Sequence, residues 1–375
     1  MRDEALLELH RQLVAIPSVS GQEAALAAHL EGVLGGLGLA PARVGDSLLV
    51  LLGQGPLLCL DTHLDTVPPA PGWSRDPFTP TVEAGRVYGL GSNDAKAAVA
   101  AMVAAVARLR PEVEELGVTL ALMLVAGEET GGGGTEAVLG RLRQLGLAPA
   151  AVVVGEPTGL EVMHAQKGLM VVELCARGQA CHAAHAAALG AVNPIRVLAR
   201  DLEALAEVDL GPPHPGLGPV TVEPTVIAGG EARNAVPAEA RCTLDVRTNP
   251  APPPAAVAEA IAGAVASEVR VLSRRLGPYE TPADHPLVRA AVALPGARGP
   301  AASRTVSDLA HFHGVPGIKC GPGESRRSHT ADEFVLEEEV LAGARWYAAL
   351  VRAWAEVLRA GGGAPPAAEA RGASI

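Results

Sequence analysis

Lysine is almost missing from this 375-residue chain: of 30 basic residues, 27 are arginine and only Lys96, Lys167 and Lys319 are lysine. With alanine, glycine and proline abundant, this points to a mutational bias that has removed surface lysines. The three survivors lie within a few residues of the motifs that carry chemistry, so local roles are expected for them. A basic excess is missing too. The formal net charge of -11 excludes an ordinary nucleic-acid binder, which needs a basic footprint to replace phosphate counterions, and favours a cationic or neutral small substrate. Five cysteines, an odd number without a Cys-x-x-Cys pair (Cys59, Cys175, Cys181, Cys242, Cys320), give no sign of a disulfide framework or a thiolate zinc site, and reduced, mostly buried thiols are expected. No apolar run reaches the roughly 20 residues that cross a bilayer. None follows the charged opening Met1-Arg2-Asp3-Glu4 as a signal-peptide core, so a cytoplasmic protein is expected.

What the chain has is apolar bulk. At 49% hydrophobic it can bury a large core, and its length favours two domains. Ser20-Gly21-Gln22-Glu23 has the pattern of a capping box and predicts a helix to about Leu37. Ser47–Leu52, Leu57–Asp61, Val118–Val125 and Ala151–Val154 are continuous apolar runs of strand length, as expected for strands covered on both faces. Ala95–Arg108 reads as an alanine-rich helix. From Gly168 the pattern changes: strand Leu169–Ala176, helix Asn193–Val208, strands Pro219–Ile227 and Ala238–Arg247, helix Ala255–Glu268, strand Val269–Leu276. That β-α-β-β-α-β order is ferredoxin-like. After Pro278 the α/β alternation resumes and ends in a long helix from about Leu336. The expected organisation is a discontinuous α/β catalytic domain over 1–167 and 280–360, an inserted α+β domain over 168–279, and an Ala/Gly/Pro-rich tail over 361–375.

Acidic and histidine residues stand where strands end. His63-Leu64-Asp65 sets an imidazole and a carboxylate two apart on one face of an extended segment, so that the imidazole can bind metal while the carboxylate fixes its tautomer. Asp94, after Gly89-Leu90-Gly91-Ser92-Asn93, is either a metal ligand or the N-cap of the following helix. Gly127-Glu128-Glu129 closes a buried strand with two acids that point in different directions. Glu156 follows Val154-Gly155, and His329 sits in the loop Arg327–Glu333. Together these are nitrogen and oxygen donors suited to zinc or cobalt with open coordination positions.

On these motifs the chain resembles the M20 metallopeptidase family, which includes acetylornithine deacetylase, succinyl-diaminopimelate desuccinylase, aminoacylase and glutamate carboxypeptidases. The resemblance runs from Leu6 to Val351 and is strongest in Leu58–Val67, Gly91–Lys96 and Gly127-Glu128-Glu129. It implies a zinc-peptidase-like domain with helices flanking a mixed sheet, plus a lid or dimerisation domain. It also implies two divalent ions, zinc or alternatively cobalt. His63, Asp94 and Glu156 would hold one and Asp94, Glu129 and His329 the other. Asp65 would orient His63, and Glu128 would be the general base. His182 would reach the active site of the opposite subunit in a homodimer. Asn234, Arg247 and the backbone of Gly321 would bind substrate.

Trp73-Ser74-Arg75-Asp76-Pro77-Phe78 and Gly321-Pro322-Gly323 with Ser328-His329-Thr330 resemble the acetylornithine deacetylase branch, which implies N-acetylornithine as substrate and a place in arginine biosynthesis. Arg326-Arg327 suggests the alternative of a succinyl group, whose second carboxylate they would receive. A hydrolase releasing lysine or ornithine from a carrier protein, a carboxypeptidase, and a non-enzymatic scaffold are the remaining alternatives.

Overall fold

The computed structural model describes residues 1–361. Of the tail expected over 361–375, residues 362–375 lie outside the described residues. The chain divides into two compact units. One comprises Met1–His164, Thr281–Ala301 and the chain from Ser307 onward; the other comprises Ala165–Glu280 with Ala302–Val306.

The first unit is built on a mixed sheet. Four of its strands run parallel, in the order Thr119–Val125, Leu57–His63, Pro149–Val154 and Gly317–Lys319. Antiparallel strands flank them: Ser47–Leu52 and Ala42–Val44 on one side and Glu161–Gln166 on the other. The residues of Leu57–His63 and Thr119–Val125 are buried throughout. That accounts for their unbroken apolar runs, since helices cover both faces of a parallel sheet. The alanine-rich helix Lys96–Leu109 is packed between Asp3–Val14 and Glu337–Ala360, where small side chains permit close approach. A three-stranded antiparallel ribbon pairs Phe334–Leu336 with Arg86–Tyr88, and the latter with Thr81–Glu83.

The second unit has the predicted strand and helix order. Its four antiparallel strands are arranged Thr221–Gly229, Glu239–Thr248, Gly168–Arg177, Glu268–Leu276. Helices Pro194–Leu205 and Pro254–Ala264 contribute Leu198 and Ile261 to a core with Val172, Leu174 and Leu244. This is the ferredoxin-like arrangement, in which the first strand lies between the third and the fourth.

One local expectation fails. Ser20 does not cap a helix: the helix starts at Ala24 after Glu23, and the Ser20 hydroxyl donates instead to the Asp65 carboxylate at 2.7 Å. Charge decides this, because an ionised acceptor attracts a hydroxyl more strongly than a neutral partner does. Asp94 is not an N-cap either; that position belongs to Ala95. Leu30 of the helix Ala24–Gly36 is fully buried in the core. Leu30→Ala should therefore cost about 2–5 kcal/mol in urea denaturation, and a loss within the scatter of surface substitutions would contradict this packing.

Candidate metal centre

In open α/β sheets ligands gather beyond the carboxyl ends of parallel strands, and here those ends carry the candidate residues. His63 ends one strand, Gly127-Glu128-Glu129 follows the second, Glu156 the third, and Lys319 ends the fourth. His63 is 2% exposed. Its Nδ1 lies 2.9 Å from the main-chain carbonyl of Asp65 and donates to it, which leaves Nε2 to face Asp94 Oδ1 at 3.1 Å and Glu156 Oε1 at 3.9 Å. On the other side, His329 Nε2 lies 2.8 Å from Glu129 Oε1 and 3.7 Å from Asp94 Oδ2. The two oxygens of Asp94 thus face two different imidazoles. Ligand atoms of His63, Asp94 and Glu129 all lie within 4.8 Å of one another.

Asp65 meets His63 twice, through its main-chain carbonyl at 2.9 Å and its carboxylate at 3.5 Å from Nδ1, the carbonyl being the better hydrogen bond. The carboxylate accepts the N–H groups of Glu128 at 3.0 Å and Glu129 at 3.1 Å, together with the Ser20 hydroxyl. Asp65 therefore holds the turn that presents both glutamates. Extended geometry places residues 63 and 65 on one face, but the turn that fills the space between them is supplied by another strand.

Charge in this region is unbalanced. Burial, then the neighbouring Asp94, pushes the Glu156 carboxyl up to about 8. Burial and Glu156 push Glu128 well above the ordinary carboxyl range. The hydrogen bond to Glu129 lifts His329 to about 9. Burial would lower His63, but Asp65 and Asp94 together hold it well above the imidazole range. Asp61, two residues before His63 and on the same face of the strand, is fully buried and neither carboxyl oxygen has a hydrogen-bond partner. Burial and the nearby Asp308 push its carboxyl well above the ordinary carboxylate range.

All three lysines are buried. Lys319 faces Glu156, Glu128 and Asp94, its ammonium pulled down by burial and supported by those carboxylates. Lys96 donates to the Ile16 carbonyl at 2.8 Å; burial lowers it to about 7 against the pull of Glu333. Lys167 donates to the Pro219 carbonyl within the second unit.

The expected substrate contacts fare differently. Gly321 offers no free backbone group: its N–H donates to Thr158 Oγ1 and its carbonyl accepts from Leu160. A Cβ there would stand 2.6 Å from the Tyr347 hydroxyl and 2.7 Å from the Glu156 carbonyl, so close packing requires the glycine. Arg327 pairs with Glu339 at 2.6 Å and lies over the Phe334 ring, while Arg326 points into solvent and pairs with Glu324. Ser74, from the segment that suggested ornithine, donates through its N–H and its hydroxyl to Asp332. His182, Asn234 and Arg247 belong to the second unit. The first two meet there, on the short ladder Cys181–His182 with Ala235–Val236, where the Ala183 N–H donates to the Asn234 carbonyl. Arg247 is near the far end of its strand and is paired with Asp245 through two bonds, at 2.7 and 3.0 Å.

The nitrogen and oxygen donors converging on Asp94 suit divalent cations such as zinc or cobalt, and His63 Nε2 is turned toward them. Residues 59–353 match the family model described as Peptidase family M20/M25/M40. The chain belongs to that family. A succinyl-diaminopimelate desuccinylase from Rhizorhabdus wittichii is 32% identical over 65% of this chain and 67% of its own length. Among solved structures, aminopeptidase PepT from Bacillus cereus matches 94% of this chain and 99% of its own, with a TM-score of 0.76 and 21% identity. An M20 metallo-carboxypeptidase from Sulfolobus solfataricus covers the same shares at a TM-score of 0.73 and 18% identity. These structures share the fold. As an M20 family member with a His/Asp/Glu cluster, the protein is a metal-binding hydrolase of small amides. Among the described residues no helix is long and apolar enough to cross a membrane.

The shift of Glu156 has a measurable consequence. Its folded value of about 8 lies above the ordinary 4.5, so between these pH values the folded state keeps a proton that the unfolded state has released. Stability of the metal-free protein should then fall as pH rises through that window. Glu156→Gln should flatten the fall in urea denaturation at pH 5 and pH 8 with chelator present. Parallel pH profiles would contradict the shift.

Proposed function

We propose that the protein is a dinuclear metal-dependent hydrolase that removes an acyl group from the amine of an amino acid, and that N-succinyl amino acids are its substrates. The observation that carries the chemistry is Asp94, whose two oxygens face His63 on one side and His329 on the other. His63, Asp94 and Glu156 would hold one ion, and Asp94, Glu129 and His329 the other, with zinc preferred and cobalt as the alternative. Divalent ions held by these residues would supply Lewis-acid polarisation of the scissile carbonyl and would acidify the attacking water. Glu128 accepts the proton from that water and returns it to the departing amine; its carboxylate is free for this work because Asp65 holds the turn by its backbone. Asp65 and Ser20 fix the glutamates, and the Asp65 carbonyl fixes the tautomer of His63.

The matched desuccinylase supports the succinyl reading over N-acetylornithine. The segment Trp73–Phe78 loses its specific weight for ornithine because Ser74 braces a loop. Arg327 cannot receive a second carboxylate while it is paired with Glu339, so that task passes to Arg326 or to the second unit. We further place His182 as the donor to the oxyanion and Asn234 and Arg247 as ligands of the substrate carboxylate, acting across a homodimer formed through the second unit. This part rests on the sequence resemblance, and Arg247 must exchange Asp245 for the substrate to serve it.

Glu128→Gln should keep its bound metal and lose on the order of 10²–10⁴ in turnover, as for a proton carrier that is not a ligand; loss of metal in proportion to activity would remove Glu128 from that role. Zinc-loaded wild-type protein offered N-succinylornithine, N-succinyl-diaminopimelate and N-acetylornithine should favour a succinyl substrate. Preference for the acetyl compound would return the protein to the deacetylase reading.

A further inference from the structure

Glu333 makes five hydrogen bonds to one turn. Its side chain accepts the N–H groups of Gly91 at 3.0 Å, Asn93 at 2.9 Å and Asp94 at 2.9 Å. Its main-chain carbonyl accepts from the Gly89 N–H at 3.0 Å and the Ser92 hydroxyl at 3.3 Å. The side chain is 2% exposed. The register of the small ribbon sets this up: Phe334 pairs with Tyr88, which brings the preceding residue over the start of the Gly89–Asp94 turn.

The tie is reciprocal. Asn93 Oδ1 accepts the Glu324 N–H at 2.9 Å, and its Nδ2 donates to the Glu324 carbonyl and the Ser328 hydroxyl, both at 3.2 Å. Each of the two segments therefore holds the other, and each carries a residue of the metal centre, Asp94 on one and His329 on the other. The loop between the anchors is under strain. His329 has φ 59° and Asp332 φ 55°, left-handed values that non-glycine residues rarely hold unless their surroundings impose them. Asp332 is pinned to Ser74 at 3.0 and 2.7 Å. His329 itself, by contrast, is half exposed, and its ring nitrogen Nε2 bonds only across the centre, to Glu129.

We propose that Glu333 is a positioning residue that locks the Asp94 turn to the His329 loop, holding the shared carboxylate and the strained imidazole in register before a metal arrives. The inference rests on the dinuclear reading above. A carboxylate suits the position because it accepts three convergent N–H groups at once, which an amide cannot do without turning a donor toward a donor. Removing such a support from a metal site typically lowers affinity about 10–100-fold.

The test compares wild type, Glu333→Gln, Asn93→Ala and, as a control destabilised far from the loop, Leu30→Ala. Zinc affinity is read by chelator competition, the visible spectrum is read after cobalt loading, and the urea midpoint is read on the metal-free protein. Glu333→Gln and Asn93→Ala should each lose about 10–100-fold in zinc affinity and change the cobalt spectrum. Leu30→Ala, with a comparable or larger fall in midpoint, should keep wild-type affinity and spectrum. Wild-type affinity and spectrum in Glu333→Gln would overturn the lock while leaving the dinuclear reading intact. An equal affinity loss in Leu30→Ala would overturn it too, by showing that general destabilisation is enough. Wild-type protein that binds no zinc would overturn the dinuclear reading and the lock together.

Discussion

Carboxylates gathered out of water repel one another, and each loses hydration that only a cation or a set of N–H donors can replace. The carboxyl ends of four parallel strands put this protein under that constraint. Asp61, Asp65, Asp94, Asp308 and Glu333 are buried there, with Glu128, Glu129 and Glu156 beside them. Against them stand His63, His329, Lys319 and Lys96. Where donors are plentiful, as at Asp65, the acid stays ionised below the usual range despite its burial. Where they are lacking, as at Asp61 and Glu156, the acid is pushed upward. The remaining deficit of positive charge is centred on Asp94, where divalent cations would relieve it.

The same constraint explains the lysines. A composition that has exchanged nearly every lysine for arginine retains three, all of them buried. An ammonium is compact and can be placed as a point charge among carboxylates or on a carbonyl, whereas a guanidinium needs a wide, planar set of partners. Surface positions tolerate the exchange because the charge there stays in water.

The centre also combines two kinds of support. His63, Glu156 and the Glu128-Glu129 turn are delivered by strands whose ladder bonds fix them with little freedom. Asp94 and His329 come from segments outside the sheet, and their precision has to be built from side-chain bonds: Glu333 and Asn93 between the segments, Asp332 to Ser74 beside them. The backbone strain at His329 fits this division, since a ligand on a loop reaches the site only when its neighbours impose the conformation.

Much of this was legible in the sequence. Apolar runs of strand length ending in His63, Glu128 and Glu156 predicted a sheet with a site at its edge, because burial on both faces leaves a continuous hydrophobic pattern and strand ends are where polar side chains can re-emerge. The β-α-β-β-α-β order of residues 168–276 followed from local periodicity in the same way. Local pattern failed where a bond depends on a distant partner. Ser20 had the spacing of a cap and serves Asp65; Gly321 had a contact motif and fills a space against Tyr347; Arg327 suggested a carboxylate ligand and already holds Glu339. Glu333 gave no signal as an acid in a loop, since its five bonds exist only because Phe334–Leu336 pairs with Arg86–Tyr88 across some 240 residues of chain. The sequence by itself determined which elements form and which residue types stand at strand ends, because periodicity and burial act locally. Which carboxylate meets which imidazole, and which acids serve backbone donors instead, only the tertiary structure decided, because hydrogen bonding and charge act between whatever groups the fold brings within 3 Å.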